Sequence, residues 1–196
     1  MNVLIIAEHD RNDRFILQPL VTAMFRQLKR PRIRADTHVI RNGGWDVVKQ
    51  WETIHAIIER NRPTDLFLLC VDRDGHEPRR GILDTLEAKA RQVLNPPRLF
   101  LAENAWQEVE VWALAGIDWR LKPKWIWDTI RSERDPKERY FEPIVKARGL
   151  TESPGRGRRE LGEEAARNYA KVRQNCPEVR DLEERIRLWV EANAQR

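Results

Sequence analysis

Cysteine, histidine and long apolar runs are all scarce in this chain, and each scarcity excludes something. Among 196 residues there are two cysteines, Cys70 and Cys176. They lie far apart and form no metal-type cluster, so neither a disulfide framework nor a thiolate zinc site is expected. Both are expected to be reduced thiols, as in a cytoplasmic protein. The four histidines, His9, His38, His55 and His76, lack zinc-ligand spacing. No glycine-rich phosphate loop of either common pattern occurs. The longest early apolar run, Val3 to Ala7, is far too short for a signal-peptide core or a membrane span, so no membrane association is expected. Nor does one sign of charge prevail: 36 basic residues against 31 acidic ones leave a net charge of +5. Charged residues make up 34% of the chain, more than the usual quarter or so. With apolar residues in periodic patterns, that describes a well-solvated surface and not a disordered polyampholyte. A pI near 9.5 permits an anionic partner. The length fits one compact domain, or one domain with a helical appendage, and is ample for a core.

What is present is an alternation of strands and helices. Val3 to Ala7 is a continuous apolar run of the kind that forms a buried parallel strand. Ile16, Leu17, Leu20, Val21, Met24 and Leu28 follow with helical spacing, and Pro19 predicts a kink or a helix start. Arg26 to Arg34 carries five basic residues and no acid, as a solvated helix end does. Thr37 to Ile40 is a second candidate strand, and Asn42-Gly43-Gly44 a turn. Val47, Val48, Trp51, Ile54 and Ile58 mark a second helix. Leu66 to Val71 is the best strand in the chain. Helix (Ile82 to Val93), strand (Leu99 to Ala102) and helix (Trp106 to Ala115) follow. This order predicts an α/β fold with an open, mainly parallel sheet flanked by helices. Beyond about residue 117 the pattern is helical, ending in an amphipathic helix over Asp181 to Glu191. Leu182, Ile186, Trp189 and Val190 share its apolar face. Asp181/Arg185 and Glu183/Arg187 are expected i,i+4 pairs.

In open parallel sheets, ligands sit beyond the carboxyl ends of the strands, and acids collect there. Glu8 follows the first strand; Asp72 and Asp74 follow the strand at Leu66 to Val71. If the backbone stays extended, Asp72 and Asp74 point to one side. Three converging carboxylates repel one another. A hard divalent cation such as Mg2+ relieves that repulsion and can activate water at a phosphodiester. The competing reading is that such acids merely form turns and caps.

Glu8 and the pair Asp72-Arg73-Asp74 resemble the Toprim domain of topoisomerases, bacterial primases, small ribonucleases and OLD-type nucleases. The resemblance is nearest to the RloB-like Toprim proteins associated with phage defence. Their first motif, Glu-Gly-Pro-Thr-Asp-Glu-Arg-Phe-Leu, stands here as Glu8-His9-Asp10-Arg11-Asn12-Asp13-Arg14-Phe15-Ile16. The outer acids, Arg14 and Phe15 keep register; His9 replaces the glycine. Val71-Asp72-Arg73-Asp74-Gly75 is similar to the second motif. Glu108-Val109-Glu110-Val111-Trp112-Ala113-Leu114-Ala115 is similar to a third, Glu-x-Glu-x-Trp-Leu-Leu-Ala. Asn175-Cys176-Pro177-Glu178-Val179-Arg180 resembles a Cys-Pro-x-Phe-Arg element near the end of that branch.

The resemblance implies a Toprim-like domain over 1–116, with a helical region over 117–196 completing the same globule. It implies a Mg2+- or Mn2+-dependent nuclease acting on DNA or tRNA, working in antiviral defence with an ABC- or AAA-type ATPase partner. Glu8, Asp72, Asp74 and Glu110 would hold the metal and carry catalysis. Glu108 is a further ligand candidate and Glu103 a fallback. On a helix Glu108 and Glu110 point about 200° apart, so only one can face the ion, and Glu110 is favoured because the relatives keep a glutamate two before the tryptophan. Arg73, Lys122, Lys124 and the loop cluster Arg156, Arg158 and Arg159 are candidates for gripping nucleic acid. Trp119, Trp125 and Trp127 either stack on bases or cover a helical layer, whereas Trp51 and Trp189 suit a core. Two other functions compete. One is a non-catalytic regulatory or assembly module, favoured by His9. The other is a receiver-type phosphoacceptor domain. That reading puts its acceptor near Cys70 and lacks the expected lysine after Ala102.

Overall fold

The computed structural model describes residues 1–8, 12–30, 32–39, 44–75, 79–118 and 125–194. Four strands form one all-parallel sheet: β1 (Asn2–Ala7), β2 (Arg34–Val39), β3 (Leu66–Asp72) and β4 (Leu99–Ala105), in the order β2-β1-β3-β4. β1 and β3 are the inner strands. Their side chains are apolar on both faces because both faces are covered. β2 is an edge strand, and it is correspondingly mixed in polarity, with Arg34 and Asp36 exposed. The expected α/β class, with an open parallel sheet between helices and further helices at the C-terminal end, is what the chain adopts.

Residue parity along the strands sorts the core into two layers. Leu4, Ile6, Phe67, Leu69, Val71, Phe100 and Ala102 face α2 (Trp45–Val48), α3 (Trp51–Arg60) and α4 (Arg79–Val93). Val3, Ile5, Ala7, Leu66, Leu68, Cys70 and Leu101 face the other way. They meet α1 (Arg14–Gln27) and α5 (Glu110–Gly116), and behind these the C-terminal helices. Those are α6 (Trp127–Ser132), a π-helical turn (Lys137–Phe141) running into α7 (Glu142–Ala147), α8 (Arg158–Arg167), α9 (Tyr169–Asn175) and α10 (Pro177–Ala194). One continuous apolar cluster runs from Val3 to Val190.

Where expectation and structure differ, the backbone gives the reason. Pro19 neither starts nor breaks α1, which runs through it from Arg14 to Gln27. A proline removes one helical N–H and so leaves the carbonyl four residues back, that of Phe15, without its usual donor. Gly162 of α8 crosses at that point. A Cβ there would collide with the Phe15 carbonyl oxygen and lie 2.9 Å from the Ile16 Cα. The helix expected from Val47 to Ile58 is two helices, divided at Lys49 and Gln50. β2 begins at Arg34, three residues earlier than expected, and Ile40 and the Asn42-Gly43 turn lie outside the described residues. β4 continues to Ala105, so the helix expected from Trp106 begins only at Glu110.

Among the described residues, the i,i+4 pairs expected on α10 give way to other partners. Glu183 accepts from Arg173 (2.8 Å) and from the Tyr169 hydroxyl (2.7 Å). Arg187 pairs with Glu184 and Glu191. Arg185 turns to the open edge of β4, where it meets Glu87 and Glu103. There Glu87 accepts the outward Ala102 N–H (2.8 Å), Arg80 donates to the Ala102 carbonyl (2.9 Å), and Glu103 accepts the Asn104 N–H (3.0 Å). Leu182, Ile186 and Val190 are buried as expected, and Trp189 packs beside them.

Candidate active site

β1 leads to β2 on one side, while β3 pairs with β1 on the other. The carboxyl ends of β1 and β3 therefore flank the point where the winding reverses, which is where open α/β sheets place ligands. Glu8 and Asp72 stand at these two ends. Glu8 is buried, and its Oε2 accepts the Asp72 backbone N–H at 3.0 Å. The same oxygen accepts from Arg79 Nη1 at 3.3 Å. Arg79, the first residue of α4, is itself buried; it also donates to the Asp72 carbonyl and, through Nη2, to Asp74 Oδ2 at 2.7 Å. Its guanidinium lies 4.5 Å from the centre of the Trp45 ring. One arginine thus ties the ends of both inner strands together.

Asp72 and Asp74 do not share a face. β3 ends at Asp72, and Asp74 follows in a turn with φ +47°. The alternation that would have aligned them has stopped. Asp72 Oδ1 accepts the Val109 N–H at 2.8 Å, whereas Asp74 turns to Arg79 and is half exposed. The loops after β3 and β4 are stitched together by Gln107 (φ +69°), whose carbonyl accepts the N–H groups of Arg73 (2.7 Å) and Asp74 (3.0 Å). That bend is why the helix after β4 starts late.

Glu110 opens α5 with only 3% of its surface exposed, and its Oε1 accepts from Arg158 Nη2. Glu108 precedes the helix. Its Oε2 accepts the Lys137 N–H at 2.9 Å. Burial, reinforced by the charge of Glu110, pushes the Glu108 carboxyl up to about 7. Asp72 is held well above the ordinary carboxylate range, first by removal from water and then by the charges of Glu110, Asp13 and Glu8. Three carboxylates thus act on Asp72. Asp13, at the N-cap of α1, belongs to the group.

The donor set is entirely carboxylate oxygen, the chemistry a hard divalent cation selects. The excess negative charge around Asp72 is what such a cation would relieve. Two of the carboxylates already hold guanidinium groups. Among the described residues no set of three or more His, Cys, Asp or Glu side chains is drawn together as a ligand cage. The oxygen donors are those a hard cation takes, and in this structure the guanidinium groups of Arg79 and Arg158 hold Glu8 and Glu110 in its place.

The remaining candidates are dispersed. Glu103 faces the β4 edge, bound to Arg80 (3.2 Å) and Arg185 (3.5 Å), apart from Glu8 and Asp72. Arg73 is buried, with its guanidinium 3.7 Å from the Trp106 ring centre. Of the expected loop cluster only Arg156 lies in the loop and is exposed. Arg158 and Arg159 begin α8: the first is buried on Glu110, the second exposed and paired with Glu163 at 3.3 Å. Lys122, Lys124 and Trp119 lie outside the described residues. Trp125 packs edge-on to Tyr140 (4.9 Å), and Trp127 donates to the Asn175 carbonyl (3.3 Å), so both cover the apolar layer. Trp51 and Trp189 pack against the two core layers as expected. Cys70 and Cys176 are free, buried thiols, and burial pushes Cys70 up to about 12. Cys70 stops two residues short of the end of β3; the strand's last residue is Asp72.

Three members of the site escaped the reading of the sequence. Asp13 had a signal, an acid in register with the first motif. Arg79 had none, because its role depends on where α4 begins. Arg158 was visible as a cation but not as the partner of Glu110, 48 residues away. In comparisons with known proteins, no family model matches the chain, and neither a curated protein nor a solved structure is found to resemble it.

Proposed function

We propose that the protein is a divalent-metal-dependent nuclease of Toprim type, hydrolysing phosphodiesters of DNA or RNA. The observation that carries this reading is the gathering of Glu8, Asp13, Asp72 and Glu110 at the switch point, close enough to raise the Asp72 carboxyl. Asp72, Glu8 and Glu110 would hold the cation, which when bound neutralises phosphate charge and activates water. The chain's own groups set the stage for it. Val109 N–H fixes the rotation of the Asp72 carboxylate. Arg79 orients Glu8 and keeps the two strand ends in register. Arg158 neutralises Glu110. The ATPase partner and the defence role that the resemblance implies belong to this proposal too.

A second reading is favoured by one observation: Glu8, Asp74 and Glu110 are already neutralised by arginines. A module that has given up metal chemistry would be stabilised in this way. Calorimetric titration with Mn2+, paired with cleavage assays on plasmid, single-stranded DNA and tRNA with and without an ATPase partner, separates the two. The nuclease reading expects Mn2+ binding and cleavage by the native protein, both lost in Asp72→Asn. Absence of Mn2+ binding gives the site to the regulatory module.

A further inference from the structure

A concavity of about 570 Å3 adjoins the carboxylates on the side of the C-terminal helices. Among the described residues four cations line it, Lys137, Lys146, Arg156 and Arg158, against one carboxylate, Glu142. Phe141 and Val145 are nearly buried and form its apolar floor. It shares two members with the site: Arg158 binds Glu110, and the Lys137 N–H binds Glu108. Those two cations are engaged, because Lys137 Nζ also lies 3.1 Å from Glu138. Lys146 and Arg156 are exposed, and among the described residues neither has a carboxylate partner.

Arg156 is also held in place. It sits at φ +52° between Gly155 and Gly157, both at positive φ. A Cβ on Gly155 would meet the Phe15 ring at 2.5 Å, and one on Gly157 would meet Val145 at 2.6 Å. The loop is therefore pressed against α1 and α7 on either side of the arginine, and the charge is presented by a fixed backbone. Cations so placed suit an anion whose charge is concentrated on a few oxygens, as in a phosphate ester. The volume is that of a small-ligand pocket. A volume of that order matches a small-molecule ligand such as a single nucleotide.

We propose that this concavity seats a phosphate group of a single-stranded nucleic acid beside the carboxylate cluster, with Lys146 and Arg156 as its cations. The inference deepens the nuclease reading and rests on it for the bond that is cut, but binding itself needs no metal. The test is fluorescence anisotropy of a short labelled single-stranded oligonucleotide in EDTA, across a series of salt concentrations. The double substitution Lys146→Glu/Arg156→Glu is expected to weaken binding about tenfold or more. Lys146→Gln/Arg156→Gln, which keeps the side chains' bulk, is expected to lower the salt slope by about 1.4, or about 0.7 for each phosphate charge that is no longer neutralised. Lys89→Gln, at an exposed cation of α4, is expected to bind as the native protein does. The proposal is overturned by a change below about twofold in either double variant at an unchanged melting temperature. Adenosine monophosphate competing as well as the oligonucleotide, a duplex binding as tightly, or no binding by the native protein overturns it equally. Binding through these residues without cleavage under any condition would remove the nuclease reading and leave the pocket. Cleavage with unaltered binding in the double variants would do the reverse.

Discussion

Replacing Arg158 with methionine tests the electrostatic design of the site more sharply than any change at an exposed residue. Arg158 and Glu110 have 11% and 4% of their side chains exposed. Without the guanidinium, Glu110 is a buried carboxylate beside Asp72 that has lost its bonded cation. Breaking a buried pair by removing one partner costs about 3–5 kcal/mol, and methionine keeps most of the packing against Phe141. Urea unfolding measures the loss: with a slope of about 2–3 kcal/mol per molar, the midpoint falls by about 1–2 M. Adding Glu110→Gln to the variant should recover most of the loss, since the two residues act as one unit. Millimolar Mn2+ should restore part of it in the single variant, if Glu110 receives the cation. A loss below about 1 kcal/mol, or one independent of Glu110, would refute the reasoning.

Three further outcomes are expected. Asp72→Asn should abolish cleavage, lowering it by two orders of magnitude or more, while raising metal-free thermal stability, because it removes a charge that Glu110, Asp13 and Glu8 disfavour; a loss of stability with full activity would contradict both halves. Gly162→Ala should destabilise by about 3 kcal/mol or more in denaturant unfolding, because α1 and α8 must separate where the Phe15 carbonyl meets the glycine; a near-neutral result would mean the helices do not cross there. His38 is held below its ordinary value by burial and by Arg60, so the unfolded chain binds its proton more readily. Its contribution is complete above pH 6.5 and falls away as pH drops below that. His38→Gln should lose less stability than the native protein between pH 7 and 5 in thermal melts, and an identical acid dependence would count against this.

The fold was legible because it is written in local patterns. Val3 to Ala7 and Leu66 to Val71 are apolar without alternation, which only doubly covered strands tolerate. The boundaries were less legible, since they depend on partners. Trp106 to Val109 has helical residues but is held as a bend by the bonds of Gln107 to the loop after β3. Pro19 carries a local signal for a break that packing against Gly162 overrides. In the site, Glu8 and Asp72 could be found because strand ends are predictable. The split between Asp72 and Asp74 could not, because it turns on one positive φ. Arg158 looked like a surface cation in a basic cluster. Its burial follows from the way α8 packs across α1 and α5, which no local window contains.

The side chains bound along β4 also bear on how this protein can associate. A parallel sheet with two bare edges can recruit a strand from another chain at either one. Here a strand arriving beside β4 would have to dislodge Glu87, Arg80 and Arg185 from Ala102, and Glu103 from the Asn104 N–H. Each of those groups is ionic and bound to the others, so the invader would leave stranded charges behind it. Extension of the sheet is thereby directed to the β2 side, where Arg34 and Asp36 bond to each other at 2.9 Å in the open. A partner that adds a strand would meet this protein at the β2 edge, the one farther from β4.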